Sequence, residues 1–264
     1  MRIPDSLVGG FPFFTEAGAG ELFMGIFLVP FVCGFFFLDA EERMEGSFLY
    51  QPAYCLDRVL REPAEQYVGE PGDIMLCTDD LLFWRITFTL ALAGHPHHSG
   101  IVFRRPDGRL AVLESGPHDA LDVETNDLLR HLRSYEEEGP VWIRRRRTPL
   151  TEEQSEVLTA WAIAQEGKRF ALVRLGGQLT PFRSRGLLRT SAMGKPHGER
   201  HSYLCSELLM ESLVAAGLVN PDTTRPAATY PRDVFFDRSR NPYINRHLNL
   251  AADWYPPARW RSSR

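Results

Sequence analysis

The sequence predicts an α+β domain in which a small antiparallel sheet or barrel packs against helices. Three observations carry that expectation. Residues 99–115 read as a β-hairpin around Pro106-Asp107-Gly108. Residues 151–167 and 202–217 each read as a helix with a polar cap at its start and glycine at its end. With 264 residues, 44% hydrophobic and 24% charged, the chain has the composition of an ordinary globular protein with a sizeable core.

Taken in order, the first element is an uncharged apolar run at 22–38, LFMGIFLVPFVCGFFFL. It sits at the short limit for a membrane-spanning helix. Pro30 and Gly34 interrupt it, so a buried hairpin or core segment competes with a membrane anchor, and a cleaved signal is a third reading. Membrane association through 22–38 is therefore one expectation and a cytoplasmic protein the other. Residues 39–68 read as a polar linker with a short helix at 54–61. Glu70-Pro71-Gly72-Asp73 is a turn signal before the apolar strand Ile74–Cys77. Residues 81–93 are apolar over a helix-like length, with helix and strand both open.

The hairpin strands are 99–105 and 109–115, and 141–147 is a further strand. Thr151 caps the next helix; Val157, Leu158, Trp161 and Ala164 mark its buried face, and Gly167 ends it. Residues 171–201, rich in Gly, Arg, Ser and Pro, read as a long loop of the kind that forms lids, with room for a short helix. Ser202 is expected to cap the second helix, which carries Leu208, Leu209, Leu213 and Ala216 as its apolar stripe. The proline-rich and aromatic tail from Pro221 is expected to wrap the surface. The domain division is 1–68 extension, 69–238 main domain and 239–264 tail packing on it.

Net charge is -4, so nothing global argues for nucleic acid as a partner. Cys33, Cys55, Cys77 and Cys205 form no C-x-x-C pair and no disulfide framework. Cys205 stands apart because it falls in the first turn of a helix, where free N–H groups and the macrodipole favour a thiolate. The competing reading is an inert buried cysteine. An attacking thiolate needs an imidazole, and His95, His97 and His98 cluster before the strand at 99–105. His98 is nearest the strand and so the best held. A metal site on His-Pro-His-His lacks a neighbouring carboxylate or cysteine at ligand spacing, and the chemistry calls for no metal or cofactor.

Glu114 follows from hairpin geometry. Pro106 fixes a negative φ, which suits a type I turn with Gly108 as the left-handed bulge residue. Arg105 then pairs with Arg109, Gly100 with Glu114, and His98 with Gly116, placing Glu114 diagonally from His98 on one face. A two-residue Asp107-Gly108 turn would shift the register by one and put Glu114 on the opposite face. A solvated strand-end carboxylate is the alternative reading of Glu114.

These residues also carry a resemblance. GDIML at 72–76, HHSGIV at 97–102, LTEEQ at 150–154, AIAQEGKRF at 162–170 and YLCSELL at 203–209 resemble, in the same order, the permuted papain-like hydrolases of the YiiX/YebB type, relatives of the NlpC-type cell-wall peptidases. The likeness spans about residues 69–238. It implies a circularly permuted papain-like fold with base before nucleophile, Cys205 as nucleophile, His98 as base, Glu114 orienting it, and Tyr203 lining the site. It implies amide hydrolysis, sometimes ester hydrolysis or acyl transfer, on a peptide or acyl-amide substrate. Ser99, Phe170 and the long 171–201 segment depart from the pattern and bear on specificity. Two alternatives stand beside the cysteine amidase: a lipid-directed acyltransferase or thioesterase, and a non-catalytic peptide-binding module on a membrane anchor. The Arg144–Arg147 run reads as a solvated strand edge, with contact to an anionic partner as its functional alternative.

Overall fold

Alternation along each strand builds a sheet with two buried faces. In β3 (Ile74–Cys77), Ile74 and Leu76 join one apolar cluster while Met75 and Cys77 join another, and all four are fully buried. The same division runs through β4 (His98–Arg104) and β5 (Leu110–Ser115): Ile101, Phe103, Ala111 and Leu113 face one way, Val102 and Val112 the other. A strand buried on both sides needs a covering layer on each side. The computed structural model describes residues 46–50, 64–78, 82–91, 93–116, 121–180, 183–186, 189–191 and 194–263, with backbone only at 82–85. The expected apolar run at 22–38 and helix at 54–61 lie outside these residues.

The strands completing the sheet are β1 (Ser47–Tyr50), β2 (Ala64–Gln66), β6 (Val123–Asp127), β7 (Val141–Arg144) and β10 (Ala258–Ser262). Their order is β2-β1-β10-β7-β3-β4-β5-β6, with every neighbouring pair antiparallel. The sheet is open, with β2 and β6 at its edges, so of the sheet and barrel expected from sequence it is the sheet that forms. A separate parallel pair joins β8 (Arg169–Phe170) to β9 (Ser202–Tyr203).

One face is covered by α3 (Glu152–Gln165) and α5 (Cys205–Ala215), whose Leu158, Ala162, Leu208, Leu209 and Leu213 pack on Ile74, Ile101 and Leu113. The other is covered by α2 (Leu128–Glu138) through Leu128, Leu129, Leu132 and Tyr135. Each such fully buried side chain contributes about 1.5–3 kcal/mol. Asp127 caps α2 by accepting from the Arg130 N–H at 3.2 Å. Thr151 and Gln154 form a reciprocal capping box on α3. The remaining helices are α1 (Leu82–Leu90), α4 (Leu172–Gln178), α6 (Pro231–Phe236) and α7 (Pro242–His247).

Several expectations are corrected. The segment at 81–93, open between helix and strand, is helical over Leu82–Leu90, as α1. Val157 and Ala164 are exposed; the buried face of α3 is Leu158, Ala162 and Gln165, flanked by Trp161. The short helix allowed for in the segment at 171–201 is α4, and the segment leads into β9. The tail does not merely wrap the surface: Trp254 and Trp260 are buried, and β10 sits inside the sheet between β1 and β7. The sheet thus draws strands from both sides of the 69–238 span. No helix among the described residues is long and apolar enough to cross a membrane.

Candidate active site

The turn Glu70-Pro71-Gly72-Asp73 anchors the start of β3, at the opposite end of the strand from Cys77, which pairs with His98 at the candidate site. Gly72 has φ of 90°, and the Asp73 N–H donates to the Glu70 carbonyl at 3.1 Å. The buried Asp73 carboxylate accepts from the Tyr67 hydroxyl at 3.0 Å and from the backbone N–H groups of Glu70 and Arg146. Burial pushes its pKa up to about 6, against the pull of those donors.

From this base the hairpin takes the register that a type I turn with a bulge requires. Arg105 and Arg109 bond across the turn, Gly108 has φ of 85°, and Gly100 pairs with Glu114. His98 lies at the start of β4 opposite Cys77. Its ring lies over Gly116, where an added Cβ would be 2.6 Å from Cε1. Glycine at 116 is what leaves room for the imidazole. Gly100 is similarly confined: a Cβ there would meet Val112 Cγ1 at 2.6 Å.

His98 Nε2 lies 2.9 Å from Glu114 Oε2, and both side chains are buried. Two further groups from α2 meet the same carboxylate. His131 Nε2 is 2.8 Å from Oε1, and the Tyr135 hydroxyl donates to Oε2 at 3.2 Å. Tyr135 also stacks on the His98 ring at 5.5 Å. For His98, burial alone would pull the pKa down. The Glu114 charge and hydrogen bonds with Cys205 and Glu114 outweigh it and push the pKa up to about 10. Glu114 shows the converse. Burial would raise its pKa, but His98 and His131 hold it well below the usual carboxylate range. Burial, then Glu114, push the Tyr135 hydroxyl well up, so it remains a donor.

Cys205 arrives from the opposite layer. It is the first residue of α5, with Leu204 before it as cap. This corrects the expected start at Ser202, whose backbone pairs with Arg169 in the short β8–β9 ladder. The capping acceptor is Glu207, which takes the Leu204 N–H at 3.3 Å. Glu207 also binds Arg174 at 2.6 Å and Arg200 at 3.3 Å, and Arg174 reaches the Ser202 carbonyl. The Ser115 hydroxyl donates to the Tyr203 carbonyl at 3.0 Å, tying the strand before Cys205 to β5. The Cys205 Sγ lies 3.8 Å from the His97 carbonyl oxygen. The His98–Glu114 pair and the Cys205 thiol therefore meet at the end of β4 and β5, where the two helical layers converge.

The cleft over Cys205 is narrow, with about 40 Å³ of free volume, room for a water or little more. Phe88, Ala91, Phe170, Leu175, Leu204 and Pro231 supply an apolar lining; Gln178, Tyr230, Ser206, His97 and His98 supply the polar groups. Tyr203, expected to line the site, does not. It is fully buried, with its hydroxyl among Gln165, Gly198 and Arg200, because its side chain turns into the core beneath α3. His97 is buried and stacks on Phe88 at 4.7 Å. No group of three or more His, Cys, Asp or Glu that could hold a metal ion occurs among the described residues.

Sequence reasoning missed His131 and Tyr135. The signal was present: Leu128, Leu132 and Tyr135 recur at helical spacing, and His131 stands on the same stripe.

No family profile matches the chain, and no curated protein matches it. Among solved structures the chain is similar to the metalloprotein YiiX from Escherichia coli O157:H7, a DUF1105 protein, at 17% identity. The match covers 68% of this chain and 87% of that one, with a TM-score of 0.40.

Proposed function

We propose that the chain is a cysteine hydrolase that cleaves an amide, peptide-like bond through a thioester on Cys205. The observation that carries this reading is the buried His98–Glu114 pair, 2.9 Å apart, whose imidazole lines one cleft with a thiol at the first position of a helix. Glu114 occupies Nε2, so Nδ1 is the nitrogen left for Cys205.

His98 takes the Cys205 proton, and the sulfur attacks the carbonyl carbon to form a C–S bond. N–H groups in the first turn of α5 have no intrahelical acceptor and stabilise the developing oxyanion. His98 then protonates the leaving nitrogen as the C–N bond breaks, giving an amine and a thioester. Water, deprotonated by His98, attacks the thioester; the C–O bond forms, the C–S bond breaks, and acid and thiol are released. Glu114 fixes the ring and stabilises the imidazolium, as the carboxylate does in a triad.

The apolar cleft lining favours a second reading, in which the acyl group comes from a lipid and the reaction is deacylation or acyl transfer. The non-catalytic alternative has against it an assembled Cys–His–Glu array. The test is intact-mass spectrometry after incubation with acyl p-nitroanilides and acyl thioesters of short-peptide and fatty-acyl type. The reading expects an acyl adduct and turnover that both vanish in Cys205→Ala. Peptide-derived substrates support the amidase and long acyl chains the lipid reading. Turnover retained in Cys205→Ala defeats both.

A further inference from the structure

The Glu114 carboxylate has two oxygens, and the structure spends them on two different imidazoles. Oε2 meets His98 at 2.9 Å, and Oε1 meets His131 at 2.8 Å. The Tyr135 hydroxyl lies closer to Oε2, at 3.2 Å, than to Oε1, at 3.4 Å. His131 Nε2 is therefore the nearer group to Oε1, in ion-pair contact with it. A histidine on an apolar helix stripe is commonly just a satisfied core residue, because its burial is costly without a partner. Here the partner is the one carboxylate that faces His98, and that distinguishes it.

We infer that His131 is a positioning residue: by holding Oε1 of Glu114 it fixes the carboxylate, and through it the His98 ring, against Cys205. The inference rests on the Cys205–His98 reading proposed above and extends it to a chain of four, Cys205–His98–Glu114–His131.

The geometry explains why a second donor is needed. Glu114 reaches His98 on the diagonal of an antiparallel pair, through a side chain with three rotatable bonds. His131 is rigid by contrast. It sits in the middle of α2, is 4% exposed, and meets the Tyr135 ring edge-on at 4.7 Å. The helix is fixed by the Asp127 cap and by buried Leu128 and Leu132. Glu124 pairs directly with Glu114 across β6, so a like charge works against the ionised carboxylate. The groups facing Glu114 are thus His98 from β4, His131 and Tyr135 from α2, and Glu124 from β6. Cys77 from β3 and Cys205 from α5 act on Tyr135 alongside it. Of these, His98 and His131 hold Glu114 as an anion.

The test follows the titration of His98 by NMR, its signal assigned from its loss in His98→Gln, and the iodoacetamide alkylation of Cys205 at neutral pH. The variants are His131→Leu, which keeps bulk and removes the donor, and His131→Gln, whose amide N–H reaches the position of Nε2. In His131→Leu the His98 midpoint should fall by about one unit, a tenfold loss of proton affinity, and alkylation should slow as the ring loses its fixed place beside Cys205. His131→Gln should recover most of both. A purely structural His131 would lower the melting temperature of both variants alike and leave the His98 midpoint of the folded protein in place. That result, or glutamine no better than leucine, overturns the inference. Should His131→Leu not fold, His131→Asn serves: its amide is too short to reach Oε1, so equality with His131→Gln overturns the inference and a lower midpoint supports it. An inert parental thiol combined with a His98 midpoint that depends on residue 131 would sink the hydrolase reading and leave this coupling standing. A reactive parental thiol indifferent to residue 131 would do the reverse.

Discussion

Gly116→Ala is the smallest change that should disable the site. A Cβ at 116 would lie 2.6 Å from His98 Cε1 and 3.1 Å from Nδ1, both ring atoms. Carbon atoms in contact sit at about 3.5–4.0 Å, so the ring must retreat by about 1 Å. Its 2.9 Å contact with Glu114 would then stretch beyond hydrogen-bond range. The ring would also leave the position from which it meets the thiol. A misplacement of about 1 Å at a reacting group costs about 100-fold, while overpacking of a buried site costs about 1–3 kcal/mol of stability. Gly116 has no positive φ, so alanine meets only the ring and no backbone strain. The assay is iodoacetamide alkylation of Cys205 at neutral pH, with thermal unfolding measured in parallel to confirm that the variant is folded. A folded Gly116→Ala protein that alkylates at the parental rate would refute the reasoning, because the ring would then have no fixed position to lose.

Other expectations follow from the same geometry. Gly108→Ala is the control: φ is 85° with open space around it, so it should cost about 1–2 kcal/mol in stability and leave alkylation unchanged, read by unfolding and thiol assay together. The His98–Glu114 pair should give stability a pH signature. Because the His98 pKa is raised in the folded state, its contribution is complete below its ordinary value of about 6.5 and is lost as pH rises toward about 10, at up to about 1.4 kcal/mol per unit. Denaturant titrations should therefore show parent and His98→Gln converging over that interval; a constant gap contradicts it. Arg174→Ala removes a partner from the buried Glu207 that caps α5, and should cost about 2 kcal/mol or more while loosening the Ser202–Cys205 junction, visible as faster amide exchange there. Parental exchange rates at that junction would argue against the clamp.

How far the sequence led depends on whether one residue or many decided each feature. The hairpin register was legible because Pro106 alone restricts the turn, and the register then carries Glu114 to His98 without further information. The ends of α3 were legible for the same reason: Thr151 and Gly167 act locally. The start of α5 was not. Ser202 is a good cap in isolation, but its backbone is taken by Arg169, thirty-odd positions away in sequence, and Glu207 supplies the cap instead. Tyr203 was misplaced because which way a side chain turns at such a junction is set by Gln165 and the loop around Gly198, not by its neighbours in sequence. Strand β10 escaped notice because alternating arginines hide its inward Ala258 and Trp260, and its partners lie in β1 and β7.

The most direct test of the central claim is the rate of Cys205 alkylation by iodoacetamide, parent against His98→Gln, from mildly acidic to alkaline pH. Iodoacetamide reports the thiolate. An activated pair predicts that near neutral pH the parent reacts about tenfold faster or more, with the difference closing at alkaline pH. Equal rates at every pH would contradict the pair, and with it the hydrolase built on it.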